Sequence, residues 1–182
     1  MALFNKAELS GVRIFEKAAA IETAEGKTFD IFLSHSYSDK DSIKAIKQTI
    51  EVMGFTVYVD WIHDSHLDRS KVTKESADLL RKRMKQCRAL FFVTSSASPE
   101  SKWMPWELGY FDAFGQRVAI LPLVVTATSS NDYKGQEYLG LYPYVTKARA
   151  QGETKETLWI RESEKKYVWF SSWLKGEGPS EH

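Results

Sequence analysis

A single cysteine, Cys87, is the only thiol in 182 residues, so no disulfide can form within the chain and the composition fits a reducing compartment. Charge of one sign is lacking too: 25 Lys and Arg face 24 Asp and Glu, for a formal charge of +1. That balance leaves no electrostatic footprint for nucleic acid or for an anionic membrane surface. No apolar run approaches the roughly 20 residues that cross a bilayer. Lys6, Glu8, Arg13, Glu16 and Lys17 break up the beginning of the chain, which therefore has no apolar secretory region. A cytoplasmic protein with no membrane or nucleic-acid partner is expected. Glycine motifs for phosphate are missing as well. No G-x-G-x-x-G follows the first apolar run and G-x-x-x-x-G-K-[ST] occurs nowhere, which sets aside Rossmann hydride transfer and P-loop chemistry.

What the chain does have is apolar content, 43% hydrophobic and 13% aromatic, enough for one well-packed domain. Its regular part begins near residue 28. Phe29 to Ser34 reads as a buried strand, and Ile43, Ile46, Ile50 and Met53 then mark a helix, with Asp39 as N-cap and Gly54 as stop. Phe55 to Trp61 is β-branched and aromatic, a second strand. Val72, Ser76, Leu79, Leu80, Arg83 and Cys87 form one face of an amphipathic helix. Ala89 to Thr94 and Val118 to Val125 read as strands flanking a helix over Pro105 to Phe114. Residues 126 to 156 look irregular or partly helical. Thr157 to Ile160 is expected as a fifth strand, Glu162 to Leu174 as a closing helix, and the last residues as a frayed tail. Strands apolar on both faces, alternating with helices, argue for a parallel sheet covered on both sides.

Ligands of such sheets bind at the carboxyl ends of the strands, where strand order reverses. After the first strand comes Ser34-His35-Ser36-Tyr37-Ser38-Asp39, a hydroxyl-rich loop entering a helix, suited to phosphate or equally to an ordinary cap. A phosphorylatable receiver is not supported, because Ser34-His35 and Thr94-Ser95 stand where its acidic residues belong. His63 and His66 bracket Asp64 in the loop after the second strand, but no third ligand accompanies them, so they read as solvated loop residues and no metal is expected. Cys87 is expected to be a buried, inert thiol. The sharpest feature is Glu107. At about 100° per residue it shares a helical face with Trp103, Tyr110 and Phe114, with Trp106 and Phe111 at the edges. An ionised carboxylate on an apolar face costs several kcal/mol unless something compensates it. With Pro105 as first helical residue, Glu107 is either a dipole-favoured capping group or the charge of a ligand cleft.

Three segments, FDIFLSHSYSDKD, TVYVDWIHDS and SKWMPWELGYFDA, resemble the first strand and loop, the second strand with its BB loop, and the S-x-W-C-x-x-E box of Toll/interleukin-1 receptor (TIR) domains. Ser101, Trp103 and Glu107 match that box, and Met104 replaces its Cys. The resemblance covers about residues 28 to 175, leaving 1 to 27 as an N-terminal extension and 176 to 182 as a flexible tail. It implies a flavodoxin-like three-layer sandwich with a five-stranded parallel sheet. It also implies cleavage of NAD between nicotinamide and ribose, with NAD as substrate and no other cofactor. Glu107 would be the catalytic carboxylate and Trp103 an aromatic wall. Ser34 and His35 would contact phosphate or ribose, and Asp60 and Trp61 would line the nicotinamide side. The implied product is linear or cyclic ADP-ribose, or an exchange product, with a signalling role in antiphage defence. Self-association through the BB loop, about residues 62 to 70, would complete the site. The resemblance also admits a non-catalytic TIR adaptor, and a nucleoside deoxyribosyltransferase-like enzyme shares the fold and the use of a Glu.

Overall fold

The computed structural model describes residues 1–12, 24–67, 71–96, 98–115, 117–126, 133–135 and 137–182. β1 (Phe4–Asn5) and α1 (Lys6–Leu9) precede an alternating stretch. That stretch runs β2 (Phe29–Ser34), α2 (Lys40–Val52), β3 (Val57–Tyr58), α3 (Asp60–His63), α4 (Lys74–Lys85), β4 (Cys87–Thr94), α5 (Trp103–Asp112) and β5 (Arg117–Val124). The chain continues with β6 (Tyr144–Arg149), β7 (Glu156–Arg161), β8 (Lys166–Trp169), α6 (Phe170–Trp173) and β9 (Ser180–Glu181).

The strands form one sheet in the order β3-β2-β4-β5-β6-β7-β8-β9, with β1 beside β5. From β3 to β6 the neighbours are parallel, and from β6 onward antiparallel. Sheet growth changes direction between β2 and β4, which opens a crevice at their carboxyl ends. Side-chain alternation along the central strands builds the two outer layers. Ile31, Leu33, Phe91 and Val93 pack with Ile43, Ile46 and Ile50 of α2 and with Phe170 of α6. Phe32, Leu90 and Phe92 pack on the other face with Leu80 and Met84 of α4 and Met104, Leu108 and Phe111 of α5. Each such side chain removed from water contributes roughly 1.5–3 kcal/mol. Between α2 and β3, Gly54 takes φ +94°, the left-handed turn that ends a helix where a side chain would be strained.

Several elements differ from the sequence reading. Along the main path of the sheet, apart from the short β1, five strands do run parallel, but the fifth is Tyr144–Arg149 and not Thr157–Ile160, which lies in the antiparallel β7. Thr146 and Lys147 made that stretch look too polar for a buried strand. Both are buried, and Lys147 is accommodated by ion pairs to Glu8 and, at 3.8 Å, to Glu156. The closing helix shrinks to α6, because Lys166–Trp169 is a strand whose Trp169 and Tyr167 meet Trp159 edge-on. The tail does not fray: β9 pairs with β8, and the His182 ring stacks on Tyr167 at 4.4 Å. Asp60 and Trp61 open a helical turn after a short β3 rather than extending that strand. Cys87 begins β4, and α4 starts at Lys74 behind a reciprocal cap of Thr73 and Ser76. No helix among the described residues is long and apolar enough to cross a membrane.

Candidate active site

Ser34 ends β2 at the crevice and His35 follows it in the loop, and the two side chains turn to different elements. Ser34 turns toward α5. It is fully buried and its hydroxyl donates to Glu107 Oε2 at 2.6 Å. His35 turns toward α3, where the Trp61 indole N–H donates to its Nε2 at 2.9 Å. Its Nδ1 lies 2.8 Å from the Leu33 carbonyl, a pure acceptor, so Nδ1 carries the proton. Nε2 must then use its lone pair toward Trp61, and the imidazole is neutral. Asp60 Oδ1 lies 3.7 Å from that Nε2.

Helix α5 begins two residues earlier than Pro105 suggests, which changes the meaning of Glu107. Trp103 is the first helical residue and Glu107 the fifth, beyond the first four backbone N–H groups that a cap can satisfy. The cap role falls instead to Ser101, whose Oγ accepts from the Met104 N–H at 3.3 Å. Glu107 is 0% exposed and Trp103 8% exposed. The buried face of α5 comprises Trp103, Met104, Glu107, Leu108 and Phe111. Tyr110 and Phe114 do not share it, contrary to the sequence reading. They continue an outer stripe from Trp106, with Trp106 stacked on Tyr110 at 5.7 Å and the Arg81 guanidinium over both rings. That stripe is the seam between α4 and α5.

A cleft of about 790 Å³ opens above these groups. His35, Trp61 and Trp103 line it directly. The other three expected residues are buried immediately behind it: Ser34 next to His35, Asp60 next to Trp61, and Glu107 one helical turn from Trp103. The six residues therefore converge on one place from β2, α3 and α5. The sequence reading marked Tyr37 and Ser38 only as part of a loop suited to phosphate or to a cap, and did not assign Lys102 to the cleft wall. All three lie inside the segments that carry the family resemblance, so membership in those segments was the available signal. Lys44 sits over the Trp61 ring at 5.6 Å, holding the indole between a cation and His35. In the BB loop region, residues 68–70 lie outside the described residues.

His63 and Asp64 are not the solvated loop residues that the sequence suggests: both are buried, and His63 belongs to α3. Asp64 accepts from Arg83 Nε at 2.8 Å and Nη2 at 2.7 Å, and from the Tyr58 hydroxyl at 2.7 Å. Burial alone would raise its carboxyl pKa, but the hydrogen bonds from Arg83 and Tyr58 outweigh it and hold the group below its ordinary value. His63 stacks on Tyr58 at 5.2 Å. No cluster of three His, Cys, Asp or Glu side chains suited to a metal occurs among the described residues. The Cys87 thiol donates to the Arg83 carbonyl, and burial pushes its pKa well up, away from thiolate reactivity.

A protein of Bacillus cereus (strain MSX-D12), provisionally named 3' cyclic ADP-D-ribose synthase ThsB', is 55% identical over 150 residues, 82% of this chain and 77% of its own. A Cytobacillus dafuensis protein, provisionally named cyclic ADP-D-ribose synthase TIR2, is 35% identical over 98 residues, 53% of this chain and 26% of its own. Among solved structures, the TIR domain of the Toll-related receptor TRR-2 from Hydra magnipapillata aligns with a TM-score of 0.41 at 14% identity, covering 57% of this chain and 75% of that one. The sequence profile described as TIR domain (TIR_2) matches residues 31–158, which include the Ser34, Trp61 and Glu107 positions. The chain belongs to the TIR domain family.

Proposed function

We propose that this protein cleaves NAD between nicotinamide and ribose and closes the remaining nucleotide into a cyclic ADP-ribose. The observation that carries the reading is Glu107, a fully buried carboxylate behind an aromatic cleft wall, oriented by the Ser34 hydroxyl. Nicotinamide is cationic in NAD and leaves neutral, so its departure needs no general acid, unlike an ordinary glycoside. The C1′–N bond breaks, its electron pair stays with nicotinamide, and positive charge develops on the ribose. A preorganised Glu107 carboxylate stabilises that charge, and the dry surroundings strengthen the attraction. A nucleophilic atom of the same nucleotide then bonds to C1′ and loses a proton, giving the cyclic product. Water at the same carbon gives linear ADP-ribose. Cyclic ADP-ribose is the product class in the names of both bacterial relatives.

Within this reading Trp103 and Trp61 are the flat walls that hold the nicotinamide and exclude water, and Asp60 borders the nicotinamide side. His35 takes a different role from direct ribose or phosphate contact. Its neutral ring spends Nδ1 on Leu33 and Nε2 on Trp61, so it orients the indole rather than donating to an anion. Because Glu107 lies behind the wall, the cleft must rearrange before C1′ can approach it. Self-association through the loop after β3 supplies that step, and assembly then switches on catalysis. The cyclic product serves as a soluble signal in bacterial defence, and the enzyme works in the cytoplasm.

The test is mass spectrometry of NAD incubated with concentrated wild-type protein. Free nicotinamide together with a cyclic ADP-ribose is the expected outcome. Linear ADP-ribose as sole product would overturn the cyclase assignment, and intact NAD would overturn the enzyme assignment.

A further inference from the structure

We propose that residues 1–12 form a strap that fixes the cleft loop, with Lys6 as a positioning residue for the nucleotide. These residues precede the part of the chain that the TIR profile matches, which begins at residue 31. They are nonetheless built into the sheet. β1 runs parallel to the carboxyl end of β5, with Phe4 opposite Leu123 and Asn5 opposite Val124. On the other side, Ala2 and Lys147 of β6 exchange two backbone hydrogen bonds of 2.8 and 2.9 Å. Phe4 is fully buried in the core, and Glu8 pairs with the buried Lys147. Asn5 caps α1 by accepting from the Glu8 N–H at 2.8 Å. The segment is therefore held to β5, to β6 and to itself.

From this anchored base Lys6 reaches Asp39, with Nζ 2.7 Å from Oδ1. The Ser95 hydroxyl, just beyond β4, donates to the other oxygen of the same carboxylate. The sequence suggests that Asp39 caps α2, but its side chain makes no capping bond and is spent on these two partners. Asp39 is buried and directly follows Tyr37 and Ser38 in the loop His35–Ser38 that lines the cleft. One carboxylate thus joins the strap, the end of β4 and the far end of the cleft loop. Glu107 and Ser34, by contrast, belong to α5 and β2, which do not depend on that contact. Loosening the loop should therefore weaken hold on the parts of the nucleotide remote from the reacting carbon, which raises KM and spares kcat.

This inference rests on the NAD-cleaving reading for its kinetic arm and on the fold alone for its second arm. In Lys6→Met, KM for NAD should rise about tenfold, the scale of one lost charge-assisted hydrogen bond, with kcat within about twofold. Amide hydrogen exchange at residues 35–39 should quicken in Lys6→Met, while exchange in α5 stays as in wild type. Lys6→Arg, which keeps the cation, should restore both readings. Unchanged KM together with unchanged exchange in a folded Lys6→Met overturns the strap, as does a Lys6→Arg protein that behaves like Lys6→Met. If wild type leaves NAD intact, the functional reading fails, and the exchange experiment alone decides the strap.

Discussion

Two corners of this domain each bury a carboxylate, and they treat it in opposite ways. At the loop after α3, Asp64 is gripped by two Arg83 nitrogens and the Tyr58 hydroxyl. Within α5, Glu107 accepts from the neutral Ser34 hydroxyl and stands one turn from a cleft-lining tryptophan. A bidentate guanidinium largely cancels a carboxylate's field and ties two elements together. A hydroxyl orients a carboxylate without cancelling its charge. The first arrangement suits a joint, and under the proposed function the Ser34 hydroxyl orients Glu107 toward a developing cation, so burial of a charge alone does not separate structure from catalysis.

The comparison breaks most sharply at Glu107. Glu107→Gln keeps the shape and can still accept from Ser34, yet nicotinamide release should fall by about 10² to 10³, with thermal stability unchanged. Asp64→Asn should do the reverse. Leaving the buried Arg83 with only its 3.5 Å contact to the exposed Glu25 should cost about 3 kcal/mol in a urea titration, while the activity of the folded fraction stays near wild type. Ser34→Ala comes next. It should lower kcat about tenfold with little change in KM, as expected when a bond that orients a charged group is removed.

A pH series sharpens the same contrast. The Asp64 pKa is depressed in the folded state, so the pair contributes stability fully present above the unfolded value of about 3.9. That contribution is lost as pH falls through the lower folded value. Urea midpoints should drop in this acid range for wild type and more shallowly for Asp64→Asn. The smallest effect is expected at Cys87. Cys87→Ala should leave turnover unchanged and cost about 1 kcal/mol, because the thiol only fills space and donates to a carbonyl.

The parallel half of the sheet was legible because its signals are local: FDIFLS and ALFFVT are short apolar runs, and Ile43, Ile46 and Ile50 repeat at helical spacing. Site convergence was legible through the strand-end rule and the Ser101-Trp103-Glu107 spacing, although the start of α5 was not. Pro105 resembled a first helical residue, and only the placement of Trp103 before it removes Glu107 from the capping positions. The antiparallel half was obscured because Thr146 and Lys147 are buried by virtue of partners distant in sequence, among them Glu8. Asp39 misled for a similar reason, since its partners Lys6 and Ser95 come from separate segments. Long-range charge pairing has no periodicity to read.

The most direct measurement places Glu107→Gln and Asp64→Asn side by side, scoring nicotinamide release from NAD per folded molecule, with the folded fraction taken from unfolding curves of the same samples. The account predicts a fall of about 10² or more for Glu107→Gln and near wild-type release for Asp64→Asn. Equal release by wild type and a folded Glu107→Gln would contradict it.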